Sequence, residues 1–178
     1  IQPKFPRSEA ELLAYDVLII GDIKANELTS NQQQLIKIFV AEHSKSIVFL
    51  GGKNSLGKKG LGRSEMADLL PIVSPLTGCR SWDQDFSLRL TTQGKFHPIM
   101  QLGKTSELND TIWQDLPPLS RRISGFQLRG GATTLAELHH PTLTEPIIVF
   151  QPYGLGKSVL IAAEGLWNWG IGVWSFKD

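Results

Sequence analysis

The chain has 178 residues, enough for one good core, and 41% hydrophobic against 20% charged residues is the balance of a soluble globular domain. Eighteen Lys and Arg against seventeen Asp and Glu leave a formal charge of +1, which excludes a global field toward nucleic acid or an acidic membrane surface, so an anion site has to be local. One cysteine, Cys79, excludes an internal disulfide framework and a cysteine-rich zinc site, and no apolar run approaches the roughly 18 residues needed to span a bilayer.

Ser8 and Glu11 have capping-box spacing ahead of Leu12 and Leu13, predicting a short helix that ends near Tyr15. "DVLII" follows as an unbroken apolar run, the pattern of a strand buried on both faces. Thr29 or Ser30, with Gln32 or Gln33 three residues on, caps a helix that carries Leu35, Ile36, Ile38, Phe39 and Val40 at helical spacing. "SIVFL" is a second buried strand, and strand, helix, strand with short joints predicts a right-handed βαβ unit in a parallel sheet. Ser64 to Leu70 is expected to be a helix stopped by Pro71.

The second half carries antiparallel signals. "DFSLRLTT" alternates as a strand, "RISGFQLR" and "ATTLAEL" flank the turn Gly130-Gly131, and "PIIVFQ" and "SVLIAAE" flank Pro152 to Lys157. Thr111 to Leu116 is expected to form one helical turn ended by Pro117-Pro118. The fold class is therefore α/β, with a mainly parallel sheet and antiparallel strands added in the C-terminal half. No repeat, low-complexity segment or linker divides the chain, so one domain over 1–178 is expected.

The segment Ser46 to Glu65 holds five glycines and four cations. Gly52 to Lys58 fits a phosphate-loop spacing, but Lys59 stands where Ser or Thr should hold magnesium, and Gly60 to Gly62 separate the lysine from any helix start. "YGLGKS" has Gln151 in place of the first glycine and leads into a strand, which makes it a hairpin turn. As a nucleophile elbow the first loop is better placed, at the carboxyl edge of a parallel sheet. The residues at its bend are Leu50, Gly51, Gly52 and Lys53, none of them a nucleophile.

Taken in order, "FPRSEAELLAYDVLIIGDI", the helix from Thr29, "IVFLGGKNSLGKKGLGRSEMADLLPI", "LRLTTQGKFHPIMQL", "WQDLPPL" and "PIIVFQPYGLGKSVLIAAEGLWNW" resemble the class I glutamine amidotransferase-like domains of large, membrane-anchored bacterial proteins, often beside a von Willebrand A domain. The resemblance implies a flavodoxin-like three-layer sandwich. It also implies a cysteine at the elbow of active relatives, with a later histidine and an acidic partner. Here the elbow falls at Leu50 to Gly52, without the cysteine. Relatives usually carry an earlier strand and helix before the stretch that is here Phe5-Pro6, and the chain opens on Ile1, so a piece of a longer protein is expected.

Three functions follow as expectations. The first is a non-catalytic amidotransferase-like domain with an interaction or structural role in a larger membrane-associated bacterial protein. The second is a thiol-dependent hydrolase or amidotransferase with displaced machinery, using Cys79 with His97 or His140. The third is an anion-binding module on the Gly51 to Gly62 loop, with Lys53, Lys58, Lys59 and Arg63 as its rim; Arg121-Arg122 could hold a carboxylate or phosphate in the same way. No metal site or cofactor is expected, since the acids are scattered and His139 and His140 are adjacent, so on a strand they would face opposite ways. Expected partners are other domains of the parent or a protein partner, or a second copy through Trp167, Trp169, Trp174 and Phe176; no nucleic acid and no direct membrane insertion are expected.

Overall fold

The computed structural model describes residues 5–75 and 77–174, with only the backbone given for 171–174, so Phe176 and the side chain of Trp174 lie outside the described residues. In chain order the elements are α1 (Glu9–Leu13), β1 (Val17–Ile20), α2 (Ser30–Ala41), β2 (Ser46–Leu50), β3 (Ile72–Val73), β4 (Arg80–Phe86), β5 (Leu88–Leu90), α3 (Thr92–Phe96), α4 (Ser106–Asp115), β6 (Leu119–Ser124), β7 (Gln127–Leu128), β8 (Thr133–Leu138), β9 (Pro146–Tyr153), β10 (Gly156–Ile161), β11 (Ala163–Glu164) and α5 (Trp167–Trp174).

The helix starts follow their capping chemistry. Ser8 Oγ accepts from the Glu11 amide at 3.3 Å, while the Glu11 carboxylate reaches back to the Arg7 amide at 2.9 Å. At α2 the box is reciprocal: the Thr29 hydroxyl accepts from the Gln32 amide and the Gln32 side chain accepts from the Thr29 amide at 2.9 Å. Gln33, Ile36, Phe39 and Val40 form the buried face of α2.

A six-stranded sheet has the order β1-β2-β10-β9-β8-β5. The β1–β2 and β2–β10 junctions are parallel, whereas β10–β9, β9–β8 and β8–β5 are antiparallel. The sheet is thus mixed rather than mainly parallel. The β9–β10 hairpin forms where expected, with Gly154 at φ 57° in its turn.

The pair expected across Gly130-Gly131 does not form. β6 instead joins β4 and β11 in a three-stranded sheet, β7 pairs with β3, and β8 enters the main sheet between β9 and β5. Local turn signals could not reveal these partners, because β3, β4 and β5, which pair with β7, β6 and β8, lie tens of residues earlier in the chain.

Two apolar clusters lie on opposite faces of the main sheet. Ile47, Phe49 and Leu160 point into one with α1 and α2, while Val48, Val159 and Ile161 point into the other with Met100 and Trp113. β1 departs from its expected burial on both faces. It lies at the sheet's edge with Val17 and Ile19 at 49% and 62% exposure, and only its Leu18–Ile20 side packs inward. An unbroken apolar run says that both faces can be buried; it does not say that both are.

Where a helix is expected over Ser64 to Leu70, a one-turn 3-10 helix forms instead at Ala67–Leu69, preceded by another at Leu61–Arg63. Its carbonyls are taken by other elements. Arg129 donates to the carbonyls of Leu70 and Ala67 at 3.1 and 2.9 Å, Gln151 to that of Asp68 at 3.1 Å, and Ser158 to that of Leu69 at 2.5 Å. A backbone whose acceptors are captured in trans gains nothing from helical bonds. α4, by contrast, is longer than the single turn expected, because Thr105 caps it through the Leu108 amide.

The same segment is pinned by Asp68, whose Oδ2 accepts from the Tyr153 hydroxyl at 2.6 Å and sits 3.1 Å from Lys37 Nζ. Burial raises the Tyr153 pKa and the Asp68 carboxylate adds to this, pushing it up to about 12. Burial works against the charged Asp68, but the Tyr153 hydroxyl and Lys37 overcome it and hold its pKa below the ordinary value. The native state therefore keeps the Tyr153 proton at a pH where the unfolded chain has lost it. This contribution is full below the ordinary pKa of 10 and fades as pH rises from there toward about 12. The Asp68 contribution runs the other way, present above the ordinary carboxylate value and lost as pH falls through the lowered one. Tyr153→Phe is expected to cost about 1 kcal/mol at neutral pH and to flatten the alkaline loss of stability, as read by urea unfolding at neutral and alkaline pH.

Candidate functional site

The carboxyl ends of the parallel strands β1, β2 and β10 meet at the glycine loop after Leu50, the part of an α/β sheet where sites are usually built. Gly51 donates its amide to the Ile161 carbonyl at 2.8 Å, which continues the β2–β10 ladder by one residue. Gly52 then turns the chain: its amide donates to Ser55 Oγ at 2.9 Å and its carbonyl accepts from the Leu56 amide at 3.1 Å.

The centre of this turn is occupied by a carboxylate from the loop after β1. Asp22 Oδ1 accepts from the Asn54 and Ser55 amides at 2.8 and 2.6 Å, and Oδ2 accepts from the Asn54 side-chain amide at 3.0 Å. A Cβ on Gly52 would meet the Asp22 carboxyl group at 2.5 to 2.8 Å. Glycine is required here by space, because any side chain would have to displace a carboxylate held by three hydrogen-bond donors. Sequence reasoning identified the elbow but missed Asp22, since nothing in "GDI" indicates that its carboxylate crosses to a loop thirty residues on.

The glycine loop is packed into the fold despite its glycines and cations. Leu56 and Leu61 are 1% and 0% exposed, and Gly51, Gly52 and Gly60 are buried. The Leu61 amide donates to the Ser55 carbonyl at 2.7 Å, Cys79 N–H donates to the Leu56 carbonyl at 2.9 Å, and Ala25 N–H donates to the Lys59 carbonyl at 3.2 Å. The loop is a packed plug between the segments around Ala25 and Cys79.

Lys53, Lys58 and Lys59 are exposed, and Arg63 Nη2 donates to the Ser74 carbonyl at 3.3 Å. The amides of Asn54 and Ser55, which an anion would need, already hold Asp22.

Cys79, His97 and His140 line three separate cavities. Cys79 Sγ lies 3.7 Å from Ser74 Oγ, in a cavity of about 660 Å³ lined also by Trp82, Ser124 and Glu145 and by no histidine. Burial pushes its thiol pKa up, against the smaller opposing pulls of the Ser74 hydroxyl and the Arg63 charge, so the nucleophilic thiolate is disfavoured. His97 packs tilted against Phe150 at 4.6 Å between centroids, with its pKa lowered first by burial and then by the Lys157 charge. His140 Nδ1 accepts from the backbone amides of Thr142 and Leu143 at 3.2 and 3.1 Å. A catalytic pair needs hydrogen-bond reach, and the neighbours of Cys79 are a serine and an arginine.

Among the described residues no group of three or more His, Cys, Asp or Glu is arranged to hold a metal, and no helix is long and apolar enough to cross a membrane. In the C-terminal aromatic segment, Trp169 is turned inward: its Nε1 donates to the Pro117 carbonyl at 2.9 Å and its ring meets Trp113 edge-on at 5.9 Å. Trp167 is 68% exposed.

No protein-family model and no curated protein sequence matches the chain. Solved structures do. Cytoplasmic Protein STM3548 from Salmonella typhimurium superposes with a TM-score of 0.70 at 20% identity, over 92% of this chain and 66% of its own. Cytoplasmic Protein STM1381 from Salmonella typhimurium LT2 does so with a TM-score of 0.69 at 19% identity, over 98% of this chain and 71% of its own. The cold-adapted β-galactosidase from Rahnella sp. R3 aligns at a TM-score of 0.58 and 13% identity, over 90% of this chain and 22% of the enzyme. At these identities the likeness is one of fold. The chain thus spans 66% of the length of the first of these proteins and 22% of the β-galactosidase.

Proposed function

We propose that the chain is an amidotransferase-like α/β domain that performs no chemistry at its elbow and serves an interaction or structural role within a larger, membrane-associated bacterial protein. Its architecture is read as a flavodoxin-like sandwich, with α1 and α2 against one face of the mixed sheet and α3, α4 and α5 toward the other. The observation that carries the reading is the Asp22 carboxylate, which fills the space that the first atom of a nucleophilic side chain at Gly52 would need. Two further features support it. The burial-raised thiol of Cys79 has no histidine beside it in its cavity. Among the described residues the edge strand β1 leaves Val17 and Ile19 open, with no proline, charge or bulge within Val17–Ile20, which suits a surface covered by a neighbouring domain or protein partner. The membrane association rests on the sequence resemblance.

The test has two readouts. Ammonia release from glutamine should stay at the buffer background, and Cys79 should alkylate with iodoacetamide more slowly than a free thiol. Hydrogen exchange at Val17–Ile20 should be fast in the isolated chain and slow in the full-length protein. Turnover abolished by Cys79→Ala would overturn the non-catalytic reading, and equal exchange in both proteins would overturn the assignment of β1 as the contact.

A further inference from the structure

A cavity of about 360 Å³, away from the glycine loop, is built over a buried arginine. Arg122, on β6, is 8% exposed and lines this cavity together with Phe86, Leu138, His140 and Leu143. Its Nε donates to Glu145 Oε2 at 2.8 Å, and its guanidinium lies 5.3 Å from the centroid of the Trp82 ring. Among the described residues its two Nη groups donate to no protein acceptor. The contrast with the adjacent Arg121 is informative, since that guanidinium is engaged by both Asp83 and Glu164. A guanidinium carries five donors in a rigid fork, and the Nη atoms here are not sealed from solvent, so their edge is open to an anion entering the cavity.

His140 supplies a second oriented donor. Its Nδ1 accepts two backbone amides, so the neutral ring carries its proton on Nε2, the nitrogen those amides leave free. Phe86 and Leu138 are buried and give the cavity an apolar floor.

We propose that this cavity is a binding site for a small monocarboxylate, its carboxylate on the free Nη edge of Arg122 and the Nε2–H of His140, its apolar body against Phe86, Leu138 and Leu143. Charge decides between this ligand and phosphate. Glu145 already balances Arg122, and Asp85 adds a negative charge to the wall, so a dianion meets two carboxylates, whereas a monoanion can share the guanidinium with Glu145. The proposal is independent of the amidotransferase-like reading, because none of its residues belongs to the elbow.

The test is a titration with butyrate, followed by NMR of the histidine ring nitrogens and the leucine methyl groups, with inorganic phosphate titrated at matched ionic strength. Butyrate should give saturable shifts at His140, Leu138 and Leu143, and phosphate should not saturate. Arg122→Lys keeps a cation for Glu145 but loses the fork, and should weaken butyrate at least about fivefold. His140→Ala, at an exposed position, should weaken it comparably. Failure of butyrate to saturate, unchanged affinity in His140→Ala, or phosphate binding as tightly as butyrate would each overturn the proposal.

Discussion

Gly52→Ala is expected to destabilise the fold by about 2 kcal/mol, the cost of forcing an extra carbon into a filled site. The new Cβ would lie 2.5 Å from Asp22 Cγ, and the carboxylate cannot retreat without releasing the amides of Asn54 and Ser55. Asp22→Ala alone should cost a similar amount, about 2 kcal/mol, because it leaves those donors without their charged acceptor. The two losses should not add. Once the carboxylate is gone the Gly52 methyl has room, so a double-mutant cycle by urea unfolding should return a coupling of about 1 kcal/mol or more. Additive losses would mean that Asp22 does not occupy the elbow. Gly52→Cys should likewise restore no activity, since the thiol would arrive in a space already held by a carboxylate.

The second large effect is expected at Leu61. It is 0% exposed inside a loop rich in glycines and cations. Leu61→Ala should cost about 2–5 kcal/mol, as for any fully buried leucine whose surroundings relax only in part. Lys53→Ala, Lys58→Ala and Lys59→Ala, at exposed positions of the same loop, should each stay within about 0.5 kcal/mol. Midpoints of chemical denaturation across these four variants separate a packed plug from a flexible loop. Equal, small effects throughout would show that the loop contributes nothing to the core.

The sequence by itself determined the elements whose causes are local. Ser8, Thr29 and Thr105 each cap the helix that follows, although only the first two are anticipated by spacing. The apolar runs at Val17 and Ser46 became adjacent parallel strands, and the turn at Gly154 became a hairpin. The absence of a nucleophile at Leu50 to Lys53 is a fact of composition.

Tertiary structure decided which acceptors and charges meet. Ser64 to Leu70 lost its helix because Arg129, Gln151 and Ser158, all more than fifty residues on, take its carbonyls. Asp22 and Gly52 share one space, while Arg121 and Arg122, adjacent in sequence, fall to opposite circumstances, one engaged by two carboxylates and one buried with most of its donors unused. Capping and periodicity act over one or two turns of chain and are written locally. The filling of a cleft and the partnering of a buried charge depend on groups brought together from across the chain, so they become legible only once it has folded.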